Sequence, residues 1–264
     1  MDFRSYEPDL RLRQDVKCIW TFEESQADHN RVPVLPDTNV EVIFNCGAPY
    51  GVRLDNGVIA DLPRVFINGL QKKPVHLQVA GECQLVAVRL HGWAVRLLAD
   101  LPTNPYALPV IPLDSLWQNF ARTIEKVARC YGYQEAVARI QQYMIDMYCP
   151  HEDIQPIRQA SQKLHAAGGQ LRLDDLAAQS NLSQRQFERR FKYWVGVSPK
   201  GYARLIRHEA AREWLFHNPN HDLVALAQNY GYTDQSHFTH EFTLFTGRTP
   251  SQYAAHVRAT ASRK

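Results

Sequence analysis

The chain has little of what most enzyme, metal-site and secreted-protein signatures require. Its five cysteines, Cys18, Cys46, Cys83, Cys130 and Cys149, are an odd number, widely spaced and without a C-x-x-C pair. That argues against a disulfide framework or zinc ribbon and makes reduced thiols the expectation. No apolar run approaches the ~18 residues of a membrane span. The opening MDFRSYEPDLRLR mixes acids and bases where a signal peptide needs an apolar stretch, so a cytoplasmic protein without membrane contact is expected. H-E-x-x-H, G-x-S-x-G and phosphate-cradling glycine loops do not occur. His29, His76 and His91 are scattered, whereas a metal-binding cupin wants a His-x-His pair with further ligands. His208-Glu209 lacks a second histidine and His237-x-x-His240 lacks a third ligand, so no catalytic residue, metal or cofactor is predicted.

What is present is ordinary globular usage: 264 residues, 45% apolar, 22% charged, 13 glycines and 15 prolines. At roughly 100 to 200 residues per domain this predicts two modest domains. The net charge of +3 is unevenly placed. Up to Pro150 there are 15 Lys/Arg against 17 Asp/Glu, and afterwards 15 against 10, or −2 and +5; eight of the eleven histidines also fall in the second part. Such an asymmetry leans toward a nucleic-acid-binding end.

Up to about Ala99, short runs rich in Val, Ile, Phe and Trp alternate between Gly, Pro, Asn and Asp clusters, predicting strands. The best are Val16 to Phe22, Val32 to Leu35, Val40 to Asn45, Arg64 to Ile67, Val75 to Ala80 and Gln84 to Leu90. An antiparallel sandwich or small barrel fits this spacing. His91-Gly92-Trp93 opens a short helix to about Leu98, and Pro102, Pro105, Pro109 and Pro112 predict an extended loop. Helical periodicity begins at Asp114, a plausible cap, with Trp117, Phe120, Ile124 and Val127 on one face. After Gly132 a second helix carries Val137, Ile140, Met144 and Met147. That seam fits either docking on the chain's own sheet or a homodimer contact. A linker at Cys149 to Pro156 divides residues 1–150 from 151–264, which are expected to be wholly helical. The fold class is therefore α+β in two domains.

The helical part contains an internal repeat. Leu176 to Phe187 returns as Leu226 to Phe238, one residue longer in the turn. Beyond the turn, Phe187, Phe191, Gly196, Pro199 and Tyr202 recur as Phe238, Phe242, Gly247, Pro250 and Tyr253, each 51 residues later. Each half reads as helix, short turn, helix. Asp174 and Asp222 are expected to cap the first helices, and Ser183 and Asp234 the second. Gly196 and Gly247 end them. Between the halves, Pro199 to about His217 forms one helix of 19 residues, roughly 28 Å long. Successive major-groove faces of B-DNA lie ~34 Å apart, so one chain presents two reading helices to one duplex. Any shortfall bends the DNA, at an elastic cost of order 1–6 kcal/mol.

Residues Leu173 to Tyr253 resemble the DNA-binding domain of the AraC/XylS family of bacterial transcriptional regulators. The resemblance is carried above all by Gly231-Tyr232-Thr233-Asp234-Gln235-Ser236-His237-Phe238-Thr239-His240-Glu241-Phe242 and by Thr246-Gly247-Arg248-Thr249-Pro250-Ser251-Gln252-Tyr253. It covers about a third of the chain, and implies a seven-helix domain whose two helix-turn-helix units enter adjacent major grooves of double-stranded DNA, with RNA polymerase as a further partner. One departure is Asn181, where the family usually has Gly; Asn accepts a left-handed backbone.

With Phe187 and Phe191 inward, Arg185, Glu188 and Arg189 point outward as candidate base-readers. Arg binds guanine bidentately and Glu accepts from cytosine, each good bidentate pair contributing ~1–3 kcal/mol of discrimination. Arg190 and Lys192 are assigned to phosphate or solvent. In the second unit Gln235, Ser236 and His240 face out, with His237 near the phosphates.

In this family a variable amino-terminal domain commonly senses an effector. Leu35-Pro36-Asp37, Val40 to Asn45 and Phe66-Ile67-Asn68-Gly69 resemble an uncharacterised β-rich domain found on some members. A small-molecule effector would need apolar walls, for which Trp20, Phe22, Phe44, Phe66 and Trp93 are candidates, although each also suits a core. Two alternatives stay open: a DNA-binding regulator gated by a protein partner, and a DNA-repair methyl acceptor using a zinc-bound Cys thiolate. The latter needs clustered cysteines, and Cys18, Cys46 and Cys83 fall on different predicted strands.

Overall fold

The computed structural model describes residues 2–27, 32–79, 81–98, 110–149, 151–220 and 222–261. His29 and the loop through Pro102, Pro105 and Pro109 lie outside them. The β-rich part holds two antiparallel sheets. One has strands β1 (Asp2–Tyr6), β2 (Val16–Ala27), β4 (Asn39–Asn45), β7 (Val65–Gly69), β9 (Gly81–His91) and β10 (Ile111–Pro112), in the order β1-β2-β9-β4-β7-β10. The other has β3 (Val32–Val34), β5 (Tyr50–Arg53), β6 (Ile59–Asp61) and β8 (Val75–Val79), in the order β3-β8-β5-β6.

Strict alternation explains the layering. In β4, Ile43 faces the second sheet with Phe66, Leu85, Ala87, Val52 and Leu77. Its neighbours Val40, Val42 and Phe44 face the other way, with Val65, Ile67, Val86 and Val88, onto a helix pair. These helices are α1 (Ser115–Tyr131) and α2 (Tyr133–Met147). Asp114 caps α1 by accepting from the amides of Leu116 and Trp117, and Gly132 at φ 85° makes the break. The expected seam is spent inside the chain: Val137, Ile140 and Met144 are buried in the same core as the sheet and α1. The expected helix after His91 is only a turn followed by a single 3-10 turn at Val95–Leu97.

The helical part follows as α3 (Gln155–Ala166), α4 (Leu173–Gln179), α5 (Gln184–Val195), α6 (Pro199–His217), α7 (Leu223–Asn229), α8 (Gln235–Thr246) and α9 (Pro250–Ala261). The core of α3 to α5 is continuous with that of the sheet and helix pair, whereas α7 to α9 close a separate cluster around Phe238 and Phe242. A buried ion pair joins the two parts. Asp15, just before β2, receives Arg158 of α3 at 2.9 Å, the Trp93 indole at 2.9 Å and the Tyr148 hydroxyl at 2.8 Å. Thr38 donates its hydroxyl to Glu209 of α6 at 2.7 Å, and Arg96 donates to the Tyr193 carbonyl at 2.7 Å while covering its ring. Among the described residues, no helix is long and apolar enough to cross a membrane.

Candidate nucleic-acid interface

Each half of the repeat builds its turn from the same backbone bonds. In the first, Asn181 adopts φ 52° and donates to the Ala178 carbonyl at 3.1 Å, while Leu182 donates to Ala177 at 3.3 Å. In the second, Gly231 adopts φ 71° and donates to Gln228 at 3.1 Å, while Tyr232 donates to Ala227 at 3.0 Å. The left-handed residue redirects the chain into the next helix. Ser183 starts α5 with a capping box: its Oγ accepts from the Gln186 amide at 3.3 Å, and the Gln186 side chain accepts from the Ser183 amide at 3.0 Å. Asp234 starts α8 by accepting from the His237 amide at 2.8 Å. Asp222 caps α7 as expected, but Asp174 does not cap α4. That helix begins at Leu173, with Arg172 in the cap position, so Asp174 falls within the first turn, where its charge suits the helix dipole.

Both second helices are anchored by fully buried phenylalanines one turn apart, Phe187 with Phe191 and Phe238 with Phe242. Both end at a left-handed glycine, Gly196 at φ 85° and Gly247 at φ 71°. The linking helix α6 is capped by Ser198, which accepts from the Gly201 amide, and has Pro199 at its first position.

The anchors fix which side chains face out. On α5, Arg185, Glu188, Arg189 and Lys192 are all exposed and, at i, i+3, i+4 and i+7, share one face. Among the described residues none of the four makes an ion pair or side-chain hydrogen bond. Arg190 differs: it is half-buried and pairs with Asp153 at 3.3 Å. On α8, Gln235, Ser236 and His240 are exposed and line one shallow surface with Thr239 and Thr243. Thr239 was not singled out by sequence reasoning; its i+4 spacing from Gln235 is the signal that finds it.

His237 is exposed but tethered. Its Nδ1 lies 3.3 Å from the Thr233 hydroxyl, and its Nε2 lies 3.6 Å from Glu241. Glu241 is itself buried, at 2% exposure, and accepts from Arg204 of α6 at 2.7 Å. This Arg204–Glu241 link between α6 and α8 was also missed. A carboxylate beside Phe242 on the inner face of a helix is the signal that demands a cationic partner.

The candidate effector walls are core residues. Phe44, Phe66 and Trp93 are fully buried, while Trp20 and Phe22 pack partly buried against the core between the sheets. A concave surface lies elsewhere. A cleft of about 1000 Å³ separates the 53–56 and 71–75 segments from the ends of α5 and α8 and the start of α6. Among the described residues, no group of His, Cys, Asp or Glu is arranged to hold a metal. Burial pushes the Cys46 thiol up to about 12, the opposite of the depressed value a reactive thiolate needs.

Two matched helix-turn-helix units on one linking helix define the architecture of a DNA-binding domain. Residues 176–256 match a helix-turn-helix domain model, and residues 4–111 match a domain of unknown function (DUF6597). The helix-turn-helix part is similar to the DNA-binding domains of AraC-type transcriptional regulators. The chain is 24% identical over 103 residues to the Msm operon regulatory protein of Streptococcus mutans, a match covering 39% of this chain and 37% of that protein. The match thus spans little more than a third of that relative's length. Among solved structures, ToxT from Vibrio cholerae aligns with a TM-score of 0.49 and 11% identity over 97% of this chain and 98% of its own. The C-terminal domain of AraT from Geobacillus stearothermophilus aligns with a TM-score of 0.37 and 26% identity over 40% and 88%.

Proposed function

We propose that the chain is a sequence-specific regulator in which residues 151–264 read DNA and residues 1–150 sense a small-molecule effector. The observation that carries the DNA reading is the pair of matched second helices, each capped, anchored by two phenylalanines and polar on its outer face. On α5, Arg185 and Arg189 take guanine edges, Glu188 accepts from cytosine and Lys192 holds phosphate. On α8, Gln235, Ser236 and His240 meet base edges. His237, tethered at the start of that helix, lies at the phosphate backbone. RNA polymerase is the further partner implied by the family. No second copy is required, because one chain carries both heads and its helix-pair seam is already buried. The cleft between the two parts favours a small effector over gating by a protein partner.

Binding of the full chain to a selected site and to random DNA tests the assignment. Arg185→Ala and Arg189→Ala are expected to cost about 1–3 kcal/mol on the selected site and much less on random DNA. Lys192→Ala weakens both alike and lowers the salt slope by about 1. Equal losses on both DNAs for all three variants would contradict the base-reading roles.

A further inference from the structure

We infer that the two reading helices take half-sites of different composition, with α5 on G·C pairs and α8 on thymine methyl groups in an A·T-rich half-site. This rests on the DNA reading above and names the sequence class that each head takes. The internal repeat sets the comparison. At its 51-residue offset, the buried anchors Phe187 and Phe191 return unchanged as Phe238 and Phe242. The outward positions do not: Arg185, Glu188, Arg189 and Lys192 return as Ser236, Thr239, His240 and Thr243. Three cations and one carboxylate, a formal +2, are thus exchanged for a face with no Lys, Arg, Asp or Glu at those positions, on a helix of equal length. Gln184 and Gln235 occupy equivalent positions and are common to both heads, so they add nothing to the difference.

The exchange removes the groups that select guanine and cytosine. Guanine is read by the two donors of an Arg or Lys, and cytosine by a carboxylate. The one carboxylate within α8, Glu241, is buried and accepts from Arg204 at 2.7 Å, so it is withheld from a base. What the α8 face offers instead is hydroxyl and methyl. Thr239 and Thr243 lie one turn apart on the shallow surface they share with Gln235, Ser236 and His240. Thr243 donates its hydroxyl to the Thr239 carbonyl at 2.6 Å, which leaves its methyl as the group it presents. Apolar contact with the C5 methyl is how a threonine distinguishes thymine from the other three bases in the major groove. Four residues at ~1.5 Å rise cover roughly 6 Å, so the two threonines serve thymines about two base-pair steps apart.

The test uses the full chain and duplex DNA. Sites are selected from a random library by the wild type and by Arg189→Ala, and the half-site whose preference the substitution relaxes lies under α5. The other half-site is expected to be A·T-rich. Its thymines are then replaced by deoxyuridine, which removes the C5 methyl and keeps the pairing edge. Wild-type affinity is expected to fall about fourfold per contacted methyl. Thr239→Ser, which keeps the hydroxyl and lacks the methyl, is expected to lose that sensitivity at one thymine. Near-UV circular dichroism establishes that the variant is folded, and Thr243→Ser reports the other thymine if it is not. Deoxyuridine in the half-site under α5 is expected to change affinity less than about twofold. Three results overturn the assignment while two enriched half-sites keep the DNA reading: a second half-site rich in G·C, an A·T-rich half-site that Arg189→Ala relaxes, or wild-type affinity within about twofold after the replacement. No enriched site at all contradicts the DNA reading itself and removes the assignment with it.

Discussion

Asn181 holds a left-handed backbone, φ 52°, at the position the second unit fills with Gly231. A side chain with a β-carbon is strained there, and asparagine less than most. Asn181→Gly should therefore leave stability nearly unchanged, whereas Asn181→Ala should lose about 1 kcal/mol, measured by urea unfolding of the full chain. Equal effects of the two would mean that the turn takes its shape from packing alone. Such single-residue chemistry was legible in the sequence wherever the side chain itself makes the bond. The Ser183, Asp222 and Asp234 caps are all found. Asp174 is not a cap because its helix starts two residues earlier than a cap there implies, a shift that local sequence does not encode.

At the scale of elements, α2 decides how the seam of Val137, Ile140 and Met144 is used. The sheet of β2, β9 and β4 offers an apolar underside, and the seam covers it. Ile140→Ala should cost about 2–5 kcal/mol in urea unfolding while leaving the sedimentation behaviour of the folded chain unchanged. A change in oligomeric state without loss of stability would instead place the seam at an intermolecular contact. Strands with their own apolar alternation, β2, β4, β7, β8 and β9, could be read directly. β1 could not: it is a largely exposed edge strand, Asp2–Tyr6, defined by pairing with β2. β5 and β6 are short strands specified by partners in the second sheet rather than by their own pattern. The outward faces of α5 and α8 were legible for a related reason, since buried phenylalanines four apart fix every other position on the helix. The Arg204–Glu241 link and the cleft were not, because each joins residues distant in sequence.

At the scale of the whole molecule, the Asp15–Arg158 pair binds the β-rich part to α3, with side-chain exposures of 4% and 6%. Removing one partner leaves a buried charge, so Arg158→Met should lose about 3–5 kcal/mol, and Asp15→Leu added to it should recover part. Calorimetric melting of both variants distinguishes this from simple additivity. Acid should act on the whole chain through one buried and two half-buried histidines. Burial holds His91 and His165 down to about 4 and His208 down to about 3, against an ordinary value of 6.5. Between those limits the unfolded chain binds more protons than the native one. Stability is therefore fully present above about pH 6.5 and falls as pH drops toward 4. His208→Leu should flatten that fall in melting temperature, and an unchanged slope would remove His208 from the account.

The most direct test of the central claim is selection of bound sites from a random double-stranded DNA library by the full chain at stated salt. The account predicts one enriched motif with two half-sites about one helical turn apart, the spacing that two heads on α6 impose. A single enriched half-site, or none, would contradict a double-headed reader.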